Sequence, residues 1–387
     1  LILQPQINEY VGRTVAEFII LLLTASILNG IVSSSLSGTH RVHTSAVLET
    51  VSDLVQNACM VTLVFFGWQL TGMLSGYILG AFISSLIGFY IVRLHPERPY
   101  RRHIFQLWEY ARFSWLGSVQ SKTFHRTDIL ILGLFVSAGL TGIYAITYTL
   151  ATFLGIFGNS INNVLFPEMS KLSAQNETEK IGLLTNDALT FAGLFLIPGA
   201  VGAAVLGDRI LRVYGNGFEQ GHWILVILIM ALLIYTYTKQ LLNTLNAIDR
   251  PDLAFRANGL FIGANIAFNL ILVWGFGWYG AAVATSVSAA IGFGTAYYYL
   301  RQLVPLNIPV VEILRQVVAA GIMGIVVLMA LTVGKTSLSW VDEYGLIFTL
   351  LLVILGAAIY FVVLVFMSTR LRVALRDNII ATFDTIG

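Results

Sequence analysis

Eleven stretches of about twenty predominantly apolar residues run through this chain, and that recurrence decides what it can fold into. They cover roughly 15–37, 46–66, 71–93, 112–136, 139–165, 184–206, 221–245, 253–274, 279–300, 314–333 and 345–367. A helix rises about 1.5 Å per residue, so ~20 residues cross the hydrocarbon core of a bilayer. Only 11% of the 387 residues are charged, against about 25% in a soluble domain. A water-facing shell around a single core is therefore excluded. A membrane barrel would show shorter segments of alternating polarity, which this sequence lacks. The pattern predicts an all-α, multi-pass integral membrane protein with short loops. Trp68, Trp223, Trp274, Trp278 and Trp340 fall at span ends on one side, as an interfacial belt requires.

The fourth span contains the polar stretch SVQSKTFHRTD (118–128), which reads either as intramembrane or as a loop. Charge counting decides. With eleven spans, fifteen Lys and Arg residues fall on one side and four on the other, and Lys122, Arg126 and Lys239 lie within spans. With ten spans the split is eleven against ten. A positive-inside bias exists only in the first case, so 118–128 is placed in the membrane and the C-terminus in the cytoplasm.

An internal repeat supports this count. LSGTHR around Arg41 is followed by a span, the turn GWQLTG (67–72), and a span ending at Arg93. LNAIDR around Arg250 is followed by a span, GWYGAA (277–282), and a span ending at Arg301. The offset is 209 residues at Arg41 and 210 at Trp68, with six spans between the copies, so both have one orientation. Such a parallel repeat implies two six-helix lobes related by a pseudo-two-fold axis along the membrane normal. The second lobe spans 108–301, and 302–387 supply an extra helix pair and a cytoplasmic tail. Residues 1–107 hold three spans and a linker, so symmetry predicts three further spans before them and fourteen in the intact protein.

Candidate functional residues concentrate in the fourth span. At about 100° per residue, Ser114, Ser118, Ser121, Lys122, His125, Arg126 and Asp128 share one arc. A charge at the bilayer centre costs roughly 2.5–3.5 kcal/mol, so this arc must face a hydrated cavity or other helices. Lys122 and Arg126 are the candidate substrate contacts, because two fixed cations would attract an anion such as phosphate. Asp128 serves as a proton or cation site or pairs with Arg126, and His125 joins it in an ion-coupling or structural network. Asn265 and Asn269, one turn apart, are read as interhelical hydrogen-bond donors. Gly72, Gly76, Gly80, Ser84 and Gly88 recur every four residues, a spacing that lets helices approach closely. Pro198-Gly199 predicts a bend within the sixth span.

The sequence contains no phosphate loop, nucleophile elbow, zinc spacing or dinucleotide fingerprint. No cofactor, metal or nucleic-acid partner is expected, and the short loops leave no catalytic domain.

Three segments carry a family resemblance: TDILILGLFVSAGLTGIYA (127–145), FPEMSKL (166–172) and NIAFNLILVWGFGWYGAAVAT (265–285). In this order and spacing the chain resembles the polysaccharide exporters and O-antigen flippases of the multidrug/oligosaccharidyl-lipid/polysaccharide flippase superfamily. The resemblance implies a cell-membrane flippase that carries a polyprenyl-phosphate- or pyrophosphate-linked oligosaccharide to the outer leaflet by alternating access. Its expected partners are that substrate, membrane lipids, and a glycan polymerase or glycosyltransferases. Lipid II flippases of the same superfamily use cationic cavity residues, which Lys122 and Arg126 match in character. The rival readings are a cation-coupled multidrug antiporter of the superfamily and a membrane enzyme or scaffold of polysaccharide assembly.

Overall fold

A computed structural model describes residues 15–38, 42–92, 127–337 and 345–372. Among the described residues there is no strand, as the apolar runs require. The chain divides into two compact units, Leu1–Trp115 and Leu116–Gly387. Among the described residues, seven helical segments are long and apolar enough to cross a membrane.

The first unit contains α1 (Val15–Gly38), α2 (Val42–Leu63) and α3 (Gln69–Val92). α2 and α3 form an antiparallel hairpin. A Cβ added to Gly72 would lie 3.0 Å from the Leu63 carbonyl carbon, and one on Gly76 would lie 2.6 Å from the Met60 nitrogen. One on Gly80 would lie 2.9 Å from the Gln56 nitrogen. The four-residue glycine ridge is thus a packing face against α2, and any larger side chain there would push the helices apart. Gly88 continues it against Val32 and Leu48.

The second unit contains α4 (Thr127–Phe135), α5 (Ala138–Ala174), α6 (Thr178–Ala192), α7 (Leu196–Arg212), α8 (His222–Ala247), α9 (Pro251–Leu300), α10 (Val310–Ser337) and α11 (Gly345–Met367). α9 reverses at Gly277, where φ is 55° and ψ −136°. Beyond that point Thr285 meets Asn265, and a Cβ on Gly292 would touch Phe261. α9 is therefore a second hairpin. At the tip of the α2–α3 hairpin Gln69 adopts φ 43° and ψ −128°, close to the Gly277 conformation but two residues beyond Gly67, the position that the repeat pairs with Gly277. Glycine tolerates that region and glutamine does not. Gln69→Gly is expected to raise stability by roughly 1 kcal/mol, read as a higher melting temperature in detergent. A lower melting temperature would count against strain at this turn.

The sixth predicted span is interrupted at Gly193–Phe195, between α6 and α7. The bend was expected at Pro198-Gly199 and occurs four residues upstream. Proline lacks an N–H and its ring clashes with the carbonyl four residues earlier, which here is that of Leu194. The surrounding helical bonds persist, with Ile197 N–H donating to Gly193 O and Gly199 N–H donating to Phe195 O.

The main core joins α4, α5, α7, α8, α9, α10 and α11, with Leu132, Tyr144, Ile224 and Ala282 fully enclosed. A second core gathers helix ends around Leu172, Ile181, Leu241, Leu245 and Leu300. Large apolar side chains cover much of the outer surface, including Phe65, Phe66, Trp68, Trp274 and Phe276 at the hairpin tips. Such a surface suits lipid and would aggregate in water.

Candidate functional site

Asp128 occupies the first turn of α4, where the helix dipole favours negative charge. Its side chain is buried, with 7% of the residue exposed. The carboxylate accepts hydrogen bonds from Tyr144 Oη at 3.1 Å, Asn269 Nδ2 at 2.8 Å and Thr285 Oγ1. Those donors come from α5 and from both arms of the α9 hairpin. Asn265 adds a 3.4 Å contact from Nδ2 to Thr285 Oγ1.

The composition of this cluster matters more than its size. Among the described residues, every side chain that hydrogen-bonds Asp128 is neutral and no ion pair reaches it. Asn269 spends its amide protons on Asp128 and on the Asn265 carbonyl, leaving its buried Oδ1 without a donor. Thr285 Oγ1 lies 3.1 Å from the Ala281 carbonyl as well, yet its single proton can satisfy only one acceptor. The centre therefore has more oxygen lone pairs than protons. A proton or a small monovalent cation would redress that balance.

Asp128, Asn265 and Thr285 also line a cavity of about 40 Å³, closed by Tyr148, Tyr235 and Phe261. It has room for a few waters, so an ion at Asp128 would adjoin a small space with mixed polar and apolar walls. A second cavity, about 390 Å³ and almost wholly apolar, lies between α5, α7, α8, α10 and α11. Phe153, Phe157, Gly202, Val327 and Phe361 are among its walls.

Of the residues singled out in the sequence, Asp128 is placed at the centre of the site. Lys122, His125 and Arg126 lie outside the described residues. Asn265 and Asn269 do link helices, and they do so at Asp128 itself. Outside that set, Asp187 is half-exposed and pairs with Arg370 at 3.1 Å. Thr285 and Tyr144 escaped sequence reasoning. The available signal was the α9 hairpin, whose reversal brings Thr285 opposite Asn265. Among the described residues no cluster of His, Cys, Asp and Glu could hold a multivalent metal.

Comparison with known proteins accords with this architecture. Residues 2–355 match the family model described as Lipid II flippase MurJ. The probable flippase AglR of Haloferax volcanii is 28% identical over 95% of this chain and 76% of its own length. The probable low-salt glycan biosynthesis flippase Agl15 of the same organism is 24% identical over 79% of this chain and 65% of its own. The probable lipid II flippase MurJ of Vibrio cholerae is 26% identical over 57% of this chain and 44% of its own. A solved structure of lipid II flippase MurJ in an inward closed conformation shares the fold, with a TM-score of 0.73 at 18% identity. That similarity covers 94% of this chain and 75% of the solved one. Matched along nearly its whole length and sharing this all-helical fold, the chain belongs to the MurJ family of lipid flippases.

Proposed function

We propose that this protein moves a polyprenyl-phosphate- or pyrophosphate-linked oligosaccharide from the cytoplasmic to the outer leaflet, coupled to a proton or monovalent cation at Asp128. The observation that carries the coupling is the buried carboxylate that, among the described residues, is held only by neutral donors, beside an orphaned amide oxygen. The substrate class follows from the family and from the relative Agl15, whose name pairs flipping with glycan biosynthesis. It accords with a polysaccharide-exporter-like role, in which the neighbouring partners are glycosyltransferases or a glycan polymerase.

The division of labour follows the chemistry of the residues. Lys122 and Arg126 would bind the phosphate, because charge-assisted hydrogen bonds to an anion are among the strongest a side chain makes. The 390 Å³ apolar cavity offers a surface compatible with part of an isoprenoid chain. Movement would come from rocking of two lobes, the second comprising 108–301, with 302–387 as an accessory pair and a cytoplasmic C-terminus. Nothing in this scheme requires covalent chemistry, so the protein acts as a transporter and not as an enzyme.

The test uses the intact protein in sealed liposomes with a polyprenyl-phosphate-linked oligosaccharide, following its transbilayer movement. Lys122→Ala and Arg126→Ala are each expected to slow transport about 10- to 100-fold, the equivalent of a charged hydrogen bond lost. Transport that ignores both changes would remove the fourth span as the head-group site. Failure to move any lipid-linked sugar, with efflux of organic cations instead, would favour the antiporter.

A further inference from the structure

Hydrogen-bonding capacity is left unused at a second place in the membrane interior, the interruption between α6 and α7. Among the described residues, five buried side-chain atoms lack a partner, and three of them are Tyr237 Oη on α8, Gln316 Oε1 on α10 and Tyr360 Oη on α11. The first two meet at one backbone position, and Tyr360 stands near Tyr237. A Cβ built on Gly193 would collide with Tyr237 Oη and lie 3.0 Å from Gln316 Oε1. Tyr237 and Tyr360 are electrostatic neighbours. Gln316 is anchored there by its amide, which donates to Thr190 O at 2.8 Å in the last turn of α6. The interruption adds a further acceptor, because Pro198 leaves the Leu194 carbonyl without its helical donor. Gln316 and Leu194 also line a cavity of about 10 Å³, which extends towards Glu312 and Ser368 and not to either tyrosine, close to the volume one water needs.

The inventory identifies the occupant. Two hydroxyls need an acceptor, while an amide oxygen and a backbone carbonyl need donors. A bare cation satisfies only the acceptors, and among the described residues lining the adjoining cavity the one carboxylate, Glu312, is already engaged. Glu312, one turn from Gln316, already accepts from Arg315 and from Ser368 at 2.8 Å. An anion finds no spare cation either, since Arg370 is paired with Asp187. A small neutral molecule that both donates and accepts fits all four groups. We propose that one or two water molecules are bound at the Gly193–Phe195 break, held by Tyr237, Tyr360 and Gln316. They stand in for the hydrogen bonds that the interrupted helix gives up. The sixth span thereby bends within the membrane without presenting bare backbone to lipid.

Synchrotron hydroxyl-radical footprinting of the intact protein in nanodiscs tests this, because bound water generates radicals where bulk solvent does not reach. Tyr237 and Tyr360 are expected to oxidise several-fold faster than Tyr144, which is fully buried and committed to Asp128. Gln316→Leu should cut oxidation at both several-fold while leaving exposed Tyr214 unchanged as an internal standard. Gly193→Ala should do the same, because its Cβ would collide with Tyr237 Oη and displace it from Gln316. Wild-type Tyr237 and Tyr360 as unreactive as Tyr144 would overturn the proposal, without reliance on either variant. So would reactivity that survives both substitutions in folded protein.

Discussion

Asp128→Asn is expected to abolish the ion dependence of transport while leaving a folded, membrane-inserted protein. The substitution keeps the shape of the side chain and removes the charge that would hold a proton or cation. Its structural cost is bounded by the hydrogen-bond inventory. Tyr144 and Thr285 can each rotate a hydroxyl to suit a new partner. Asn269 Nδ2 cannot, because a donor stays a donor, and an amide turned the wrong way would oppose two N–H groups. That mismatch costs about 1–3 kcal/mol, enough to lower the melting temperature and too little to unfold a helical bundle of this size. The measurement is substrate flipping in liposomes with and without imposed proton and sodium gradients. Wild-type protein should respond to one of them and the variant to neither. A variant that keeps the wild-type gradient response would sink the assignment of Asp128, and would leave the cluster as a structural tie between α4, α5 and α9.

The second large effect is structural. Gly280→Leu is expected to prevent accumulation of folded protein. A Cβ at 280 would strike the Leu272 carbonyl and lie 2.9 Å from the Val273 nitrogen. Both are backbone atoms, so no rotamer change relieves the contact, and the α9 hairpin must open. Overpacking against movable side chains costs about 1–3 kcal/mol. Against fixed backbone the cost lies at or above the top of that range. The damage would spread to the site, because the same hairpin brings Thr285 to Asn265 and Asp128. Gly263→Leu is the matched control, since nothing lies within 4 Å of its added Cβ. Folded yield by size-exclusion chromatography should fall to background for the first variant and stay at wild-type level for the second. Equal yields would show that α9 tolerates a wider turn than its geometry indicates.

Much of the fold is legible in the sequence because the bilayer imposes so few solutions. Apolar length marks the crossings, and the Gly-Trp pairs at 67–68 and 277–278 mark the two reversals. The glycine ridge of α3 is readable for the same reason, since a four-residue spacing of the smallest side chain has one use in a membrane helix. Legibility fades where geometry acts at a distance. The sixth span breaks upstream of its proline because the steric conflict falls on residue 194. Gln69 in a strained turn leaves no trace in composition. The site follows the same rule. Asp128 is conspicuous, because an acid in an apolar run is costly wherever it stands. Tyr144 and Thr285 are ordinary residues of apolar helices, and only the folded hairpin shows that they serve the carboxylate. The cationic half of the proposed site, Lys122 and Arg126, lies outside the described residues, so its role stands on charge and family alone.

The two sharp reversals have a practical bearing on how this protein can be handled. At Gly67–Gln69 and at Gly277 the chain crosses from one helix to the next with almost no intervening segment. At either reversal a protease would find almost no extended chain to cleave, and an antibody would find little epitope beyond exposed aromatic rings. An inserted tag at either point would have to pry apart two helices in backbone contact. Topology mapping and labelling therefore belong at the longer connections, where an insertion meets water before it meets a neighbouring helix.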